Sequence, residues 1–185
     1  MIATAYQLTP VKPVVMGEGA YEHGSEYGFD VTPLWVRRQA YYTCLAGAHH
    51  GYGHNDSWRV LPTWREALDA PGAVQLGILK KVFLARTEWW ALVPDQTVFA
   101  SGGRTNGQVL NLAARHKDGK WLMAYLANDA TFSIDLRKLS AKRAKVFWVD
   151  PRNGRQERVG EFPTEQAREF SSPKDWEDAL WIAEP

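Results

Sequence analysis

Apolar positions follow two regimes along this chain. Up to about residue 92 short apolar runs alternate with stretches of helical spacing; from Pro94 onward the apolar residues come in brief bursts separated by turn residues. Residues 11–16, bounded by Pro13 and Gly17, predict a short buried strand. Thr32-Pro33 predicts a helix start, because threonine offers its side-chain oxygen to the open N–H groups and proline fits the first turn. The pattern carries that helix to residue 46, with Leu34, Ala40, Tyr41, Cys44 and Leu45 as its buried face. Residues 46–52 predict a second strand, whose glycines point to close backbone approach or tight turns.

Thr63-Trp-Arg-Glu66 has the form of a capping box and predicts a short helix broken at Pro71-Gly72. The next helix is expected over residues 73–89, where Val74, Ile78, Val82, Leu84, Ala85 and Trp89 fall near helical spacing. Strand, helix, strand, helix is the order of an α/β unit. The later bursts lie at residues 98–100, 109–114, 121–126, 132–136, 146–149 and 180–183. Asp118-Gly119 and Asn153-Gly154 are hairpin-turn signals among them. Short strands with frequent turns predict a small antiparallel β-sandwich. The expected organisation is therefore an α/β portion over residues 1–92 and a β-sandwich over 93–185, with Glu88-Trp89-Trp90 packing the two together.

Composition changes this picture little. A net charge of +1 gives no pull toward nucleic acid or anionic lipid, so neither nucleic acid nor a membrane is expected as a partner. The single cysteine, Cys44, excludes an internal disulfide and falls in an apolar helical pattern, the setting of a buried structural thiol. No run approaches the roughly 18 apolar residues of a membrane span. The first residues lack the basic start and apolar core of a secretory signal. The aromatic content does matter: 9 Trp, 7 Tyr and 7 Phe supply core packing and also flat platforms for sugars.

The polar chemistry is concentrated in two Gly-rich segments, 14–22 and 47–58. Glu18 lies between two glycines just past the first strand, where α/β folds place ligand groups. That position suits an anionic nucleophile or general base; the alternative is a loop carboxylate accepting backbone hydrogen bonds. Glu22, four residues on, is placed to orient Glu18 or to bind a hydroxyl. His49 and His50 are adjacent on a strand and so point to opposite faces. His50 and His54 have a spacing that would put both on one helical face, but Gly47, Gly51 and Gly53 argue against a helix, and no metal site is expected. His54 and Asn55 offer the directional groups that hydroxyls require, and Tyr52 or Trp58 an apolar platform. Equally, Asp56-Ser57 forms a turn in which Trp58 is an anchor to the core. In the β portion His116 precedes a turn and reads as a surface residue.

These segments carry a resemblance. Lys12-Pro-Val-Val-Met-Gly-Glu-Gly-Ala-Tyr-Glu22, Arg37-Arg-Gln-Ala-Tyr-Tyr42 and Gly47-Ala-His-His-Gly-Tyr-Gly-His-Asn-Asp-Ser-Trp58, in this order, are similar to the apiosidase-like glycoside hydrolases, a TIM-barrel group. The second half resembles the C-terminal β-sandwich, labelled collagen-binding, that the family commonly carries. The resemblance implies a fold class of α/β plus β: the C-terminal fragment of a (β/α)8 barrel, then a small antiparallel β-sandwich. Residues 14–16 would be the seventh barrel strand and 46–52 the eighth. Glu18 would be the nucleophile of a retaining mechanism, with Glu22, His49, His50, Tyr52, His54, Asn55 and Trp58 lining the substrate. The family's acid/base comes from a middle barrel strand, which nothing in these residues matches, so the chain alone is expected to be inactive. No cofactor is implied. The implied partner is a plant-type or other polysaccharide or oligosaccharide once the barrel is complete, and exposed barrel strands imply self-association. The alternative function is a non-catalytic accessory module whose sandwich binds carbohydrate or protein.

Overall fold

In the computed structural model, which describes residues 1–185, the Thr32 hydroxyl oxygen accepts the Trp35 N–H at 3.3 Å. Pro33 opens the helix α2 (Pro33–Leu45), as its fixed φ and missing N–H allow. Helix α2 buries Val36, Ala40, Tyr41 and Leu45. Leu34 and Cys44, expected in the core, are only half-buried, yet burial still pushes the Cys44 thiol up to about 12. Arg37 is buried as well, and its guanidinium donates to the Gln75 side-chain oxygen at 2.6 Å.

A short helix α1 (Ile2–Tyr6) precedes the strand β1 (Val15–Met16). Strand β1 pairs in parallel with β2 (His49–His50), Val15 opposite His49 and Met16 opposite His50. Parallel neighbours need a long crossover, and α2 supplies it. One turn of helix, α3 (Asn55–Trp58), follows β2, and then α4 (Pro71–Leu84).

Two local expectations fail here. The capping box does not form: Thr63 donates its hydroxyl to Asp56 Oδ2 at 2.6 Å instead of serving a helix, and Glu66–Asp69 is a 3-10 turn. Pro71-Gly72 does not break a helix but starts one, because proline lacks only an N–H that the first turn leaves free. Helix α4 also stops at Leu84, short of Trp89.

The chain divides into two compact units, residues 1–81 and 82–185. The second contains nine strands: β3 (Leu92–Pro94), β4 (Phe99–Ser101), β5 (Asn111–His116), β6 (Leu122–Leu126), β7 (Thr131–Asp135), β8 (Arg143–Val149), β9 (Gln156–Pro163), β10 (Ala167–Ser171) and β11 (Ala179–Glu184). They form a six-stranded sheet in the order β3-β5-β6-β11-β8-β9 and a three-stranded sheet in the order β10-β7-β4. Every pairing in both is antiparallel. The architecture is thus mixed α/β with mostly antiparallel sheets and few helices.

The core of the second unit is a sandwich filling. Phe132, Ile134 and Phe170 of the smaller sheet share one cluster with Leu122, Ala124, Trp148 and Trp181 of the larger. Phe132 meets Trp148 edge-on with ring centroids 5.9 Å apart, and Phe170 lies 5.1 Å from Trp181. Asp118-Gly119 and Asn153-Gly154 make turns as expected, with Gly119 and Gly154 at φ 71° and 78°, a region that favours glycine. Strands β9 and β10 have no counterpart among the apolar bursts. Both are sheet edges, mostly exposed, so they lack the apolar half of the alternation.

His116 corrects the surface expectation. It is fully buried, its Nδ1 accepts the Asp118 N–H at 2.9 Å, and its Nε2 lies 3.1 Å from Glu88 Oε2. Glu88 pairs with Lys120 at 2.8 Å, and Trp90 is 70% exposed. No helix is long and apolar enough to cross a membrane.

Two outcomes follow for the second unit. Trp181→Ala should cost about 3–5 kcal/mol, the range for a large buried aromatic, read from chemical denaturation. A loss under about 1 kcal/mol would show that Trp181 is not central to the core. Lys120 beside Glu88, Arg137 beside Asp135 and Arg143 beside Glu161 hold those carboxyls below their ordinary range. A carboxyl depressed in the fold adds stability above its unfolded value, about 4, and loses it as pH falls through the folded value. Thermal melts should therefore be level above about pH 5 and decline below about pH 4. A melting temperature independent of pH from 6 to 2 would contradict this.

Candidate functional site

The parallel ladder of the first unit opens and closes again, and the opening makes the site. Gly51 N–H donates to Met16 O at 2.9 Å; the two segments then separate and rejoin where Glu22 N–H donates to Gly53 O at 3.0 Å and Asn55 N–H to Glu22 O at 2.8 Å. Between these ties residues 17–21 make an excursion that carries Glu18, which is exposed.

Helix α2 pins that excursion. The Gln39 amide makes a two-point clamp on Ala20, accepting its N–H and donating to its C=O, both at 3.0 Å. Gly19 leaves room for the clamp, since a Cβ there would stand 2.5 Å from Gln39 Nε2 and displace the amide. Glu18 is therefore held between a strand end and a doubly bonded peptide.

Glu18 opens into a cleft lined also by Gly19, Tyr21, Glu26, Tyr27, Asn55 and Trp58. Tyr21 lies against Gly53, where a Cβ would meet its ring at 2.3 Å, and stands edge-on to Trp58 with centroids 6.4 Å apart. Burial first, and then the neighbouring Glu18 carboxylate, raise the Tyr21 phenol above its ordinary value. Trp58 donates its indole N–H to Asn55 Oδ1 at 3.3 Å and is 62% exposed, so it does not anchor the turn to the core.

The other expected site residues lie elsewhere. Glu22 is buried, and protein donors take both its oxygens: Tyr52 OH at 2.6 Å and the Gly72 N–H at 3.1 Å. Gly72 is in the first turn of α4, so this carboxylate sits where open N–H groups and the helix dipole favour negative charge. A Cβ on Gly72 would fall 2.2 Å from Glu22 Oε2. Burial, followed by its bond to Glu22, raises the Tyr52 phenol far above its usual range. His49 is exposed while His50 is half-buried, as strand alternation requires. Neither ring nitrogen of His50 has a hydrogen-bond partner, and burial lowers its pKa.

His54 is buried and caps α3, its Nδ1 accepting the Asp56 N–H at 3.1 Å. His23 Nδ1 lies 3.1 Å from Asp56 Oδ1, and the Thr63 hydroxyl and then His23 hold the Asp56 carboxyl below its ordinary value. His23, His54 and Asp56 each bring a potential metal-ligand atom within 4.8 Å of the others, as do Glu88, His116 and Asp118 in the second unit. Nitrogen and carboxylate donors of this kind suit zinc. Within these groups His23 lies 3.1 Å from Asp56, and His116 lies 3.1 Å from Glu88.

Of the eight residues singled out from sequence, Glu18, Asn55 and Trp58 share the cleft. Tyr21, Glu26 and Tyr27 join them without having been singled out. Glu26 and Tyr27 lie in an irregular stretch with no periodic signal, brought round by the bonds His23 N–H to Val31 O and Val31 N–H to Gly24 O, at 3.0 and 2.9 Å.

Residues 1–91 match the family model described as "Apiosidase-like, catalytic domain", and residues 93–183 match "Putative collagen-binding domain of a collagenase". No curated protein matches the chain. A solved structure named "Glycoside hydrolase" superposes with a TM-score of 0.87 at 27% identity, covering 99% of this chain and 44% of its own. A family 5 glycoside hydrolase from Bacteroides vulgatus ATCC 8482 gives a TM-score of 0.87 at 28% identity, with the same coverage of 99% and 44%. The chain thus spans less than half the length of these structures. By sequence and by structure it is similar to glycoside hydrolases, with residues 1–91 similar to the apiosidase-like catalytic domain and residues 93–183 to the putative collagen-binding domain.

Proposed function

We propose that the first unit is the nucleophile-bearing wall of a retaining glycoside hydrolase site, and that β1 and β2 are the last two strands of a TIM barrel. One observation carries this reading: Glu18 is an exposed carboxylate at the C-terminal side of a parallel strand pair, on a segment that Gln39 clamps at Ala20, and it opens to a polar-aromatic cleft. Ligands of α/β sheets and barrels bind on that side of the strands.

In this reading a Glu18 oxygen attacks the anomeric carbon as the bond to the leaving oxygen breaks, giving a glycosyl–Glu18 ester. An acid/base carboxyl about 5–5.5 Å away protonates the leaving oxygen and then takes a proton from the water that cleaves the ester. By the family resemblance that carboxyl belongs to a middle barrel strand, outside these 185 residues. We therefore propose that the chain by itself does not turn over natural glycosides. Asn55 would meet sugar hydroxyls and Trp58 a sugar face. To Glu22 and Tyr52 we assign support of the Glu18 excursion instead of sugar contact, since their polar atoms already bond each other and the start of α4.

In a longer glycosidase carrying this sequence, Glu18→Gln should lower turnover on the order of 10⁴-fold or more, as loss of a catalytic nucleophile does. Glu18→Ala with azide should release a glycosyl azide of the opposite anomeric configuration. Undiminished turnover in Glu18→Gln removes Glu18 as nucleophile. Glu22→Gln should destabilise the 185-residue chain by about 1–3 kcal/mol, the cost of disturbing bonds to a buried polar group. An unchanged denaturation midpoint would show that Glu22 is not a structural joint.

A further inference from the structure

We propose that Tyr27, Phe29 and Trp35 form a glycan-binding row that extends the Glu18 cleft and accepts the sugar units next to the one being cleaved. The proposal rests on the reading of Glu18 as the sugar-cleaving carboxylate. The three rings are contiguous: Tyr27 and Phe29 have centroids 6.0 Å apart with planes inclined by 33°, and Phe29 and Trp35 are 4.6 Å apart at 50°. They remain open to water, with exposures of 52%, 41% and 38% respectively. A contiguous exposed aromatic patch marks a binding surface, whereas single exposed apolar residues do not.

The row is built and not frayed. Its loop is closed at the base by the His23–Val31 and Val31–Gly24 bonds and turned by Gly28 N–H donating to Ser25 O at 3.3 Å. Trp35 sits in the first turn of α2, its own N–H held by Thr32.

Two features identify the occupant as carbohydrate. The row starts inside the candidate site, because Tyr27 also lines the Glu18 cleft, so a chain leaving that cleft meets it directly. Its two loop aromatics are also flanked in sequence by exposed carboxylates, Glu26-Tyr-Gly-Phe-Asp30. Sugar rings present flat C–H faces rimmed by hydroxyls and so satisfy both kinds of group. A protein segment covering the same surface would bury Glu26 and Asp30, at a cost unless it brought matching donors. The implied substrate is an oligosaccharide or polysaccharide, not a glycoside of a single sugar.

The test uses the 185-residue chain with labelled aromatic side chains, titrated by NMR with hexasaccharide and disaccharide fragments of arabinoxylan, xyloglucan, rhamnogalacturonan and glucomannan. For at least one glycan, the longer fragment should shift both the Trp58 and Trp35 indole signals and bind about tenfold more tightly than the disaccharide. The double variant Phe29→Ala/Trp35→Ala, both positions being surface ones, should lose that length dependence and keep the Trp58 shift. A Trp58 shift without a Trp35 shift, and with equal affinity for both lengths, rejects the row and leaves the cleft reading standing. No indole shift with any of the four glycans rejects both.

Discussion

The first unit depends on one buried carboxylate. Glu22 closes the parallel ladder through its backbone, bonding Gly53 and Asn55, and fastens α4 through its side chain, bonding Tyr52 and Gly72. A buried, unpaired carboxylate would be strongly unfavourable. Here two donors and a helix N-terminus offset that cost, so the charge is tolerable only while strand, loop and helix keep their places. The joint lies four residues beyond Glu18, and it fixes where the excursion bearing Glu18 must return.

The excursion itself is shaped by close approach. Gln39 reaches Ala20 only because Gly19 has no side chain, and Glu22 reaches the start of α4 only because Gly72 has none. A single-methyl addition at either glycine would collide with a bonded polar group instead of filling space. Gln39 and Glu22 thereby hold the excursion at Ala20 and at its return, and in the proposed reading this fixes the group that meets the reacting atom.

What the sequence revealed depended on how local the determinant was. The Thr32-Pro33 cap and the glycine turns at 119 and 154 rest on a few adjacent residues, and they form where the chain indicates. Thr63-x-x-Glu66 has equally good local chemistry, yet Asp56 captures the threonine hydroxyl, a competition no local pattern records. His116 reads as polar beside a turn but is enclosed by the fold, with Glu88 satisfying it from 28 positions away in the chain. Edge strands β9 and β10 escape notice because only one side of an edge is paired and few of their side chains are buried. In the candidate site, the Gly-rich context around Glu18 is visible in the sequence; the convergence of Tyr21, Glu26 and Tyr27 on it is made by long-range backbone bonds.

The second unit has a different character. Phe132, Trp148, Phe170 and Trp181 are buried between its two sheets and hold them together, while Trp90 stays exposed. In the proposed reading the site chemistry belongs to the first unit and centres on Glu18. Its most direct test is covalent trapping, because a 2-deoxy-2-fluoroglycosyl fluoride has a leaving group that needs no protonation and slows cleavage of the ester. Incubating the 185-residue chain with such reagents of several sugar configurations should add one glycosyl unit, mapped by peptide mass spectrometry to Glu18 and absent from Glu18→Gln. Labelling at Glu26 or another carboxylate, with Glu18 unmodified, would contradict the account.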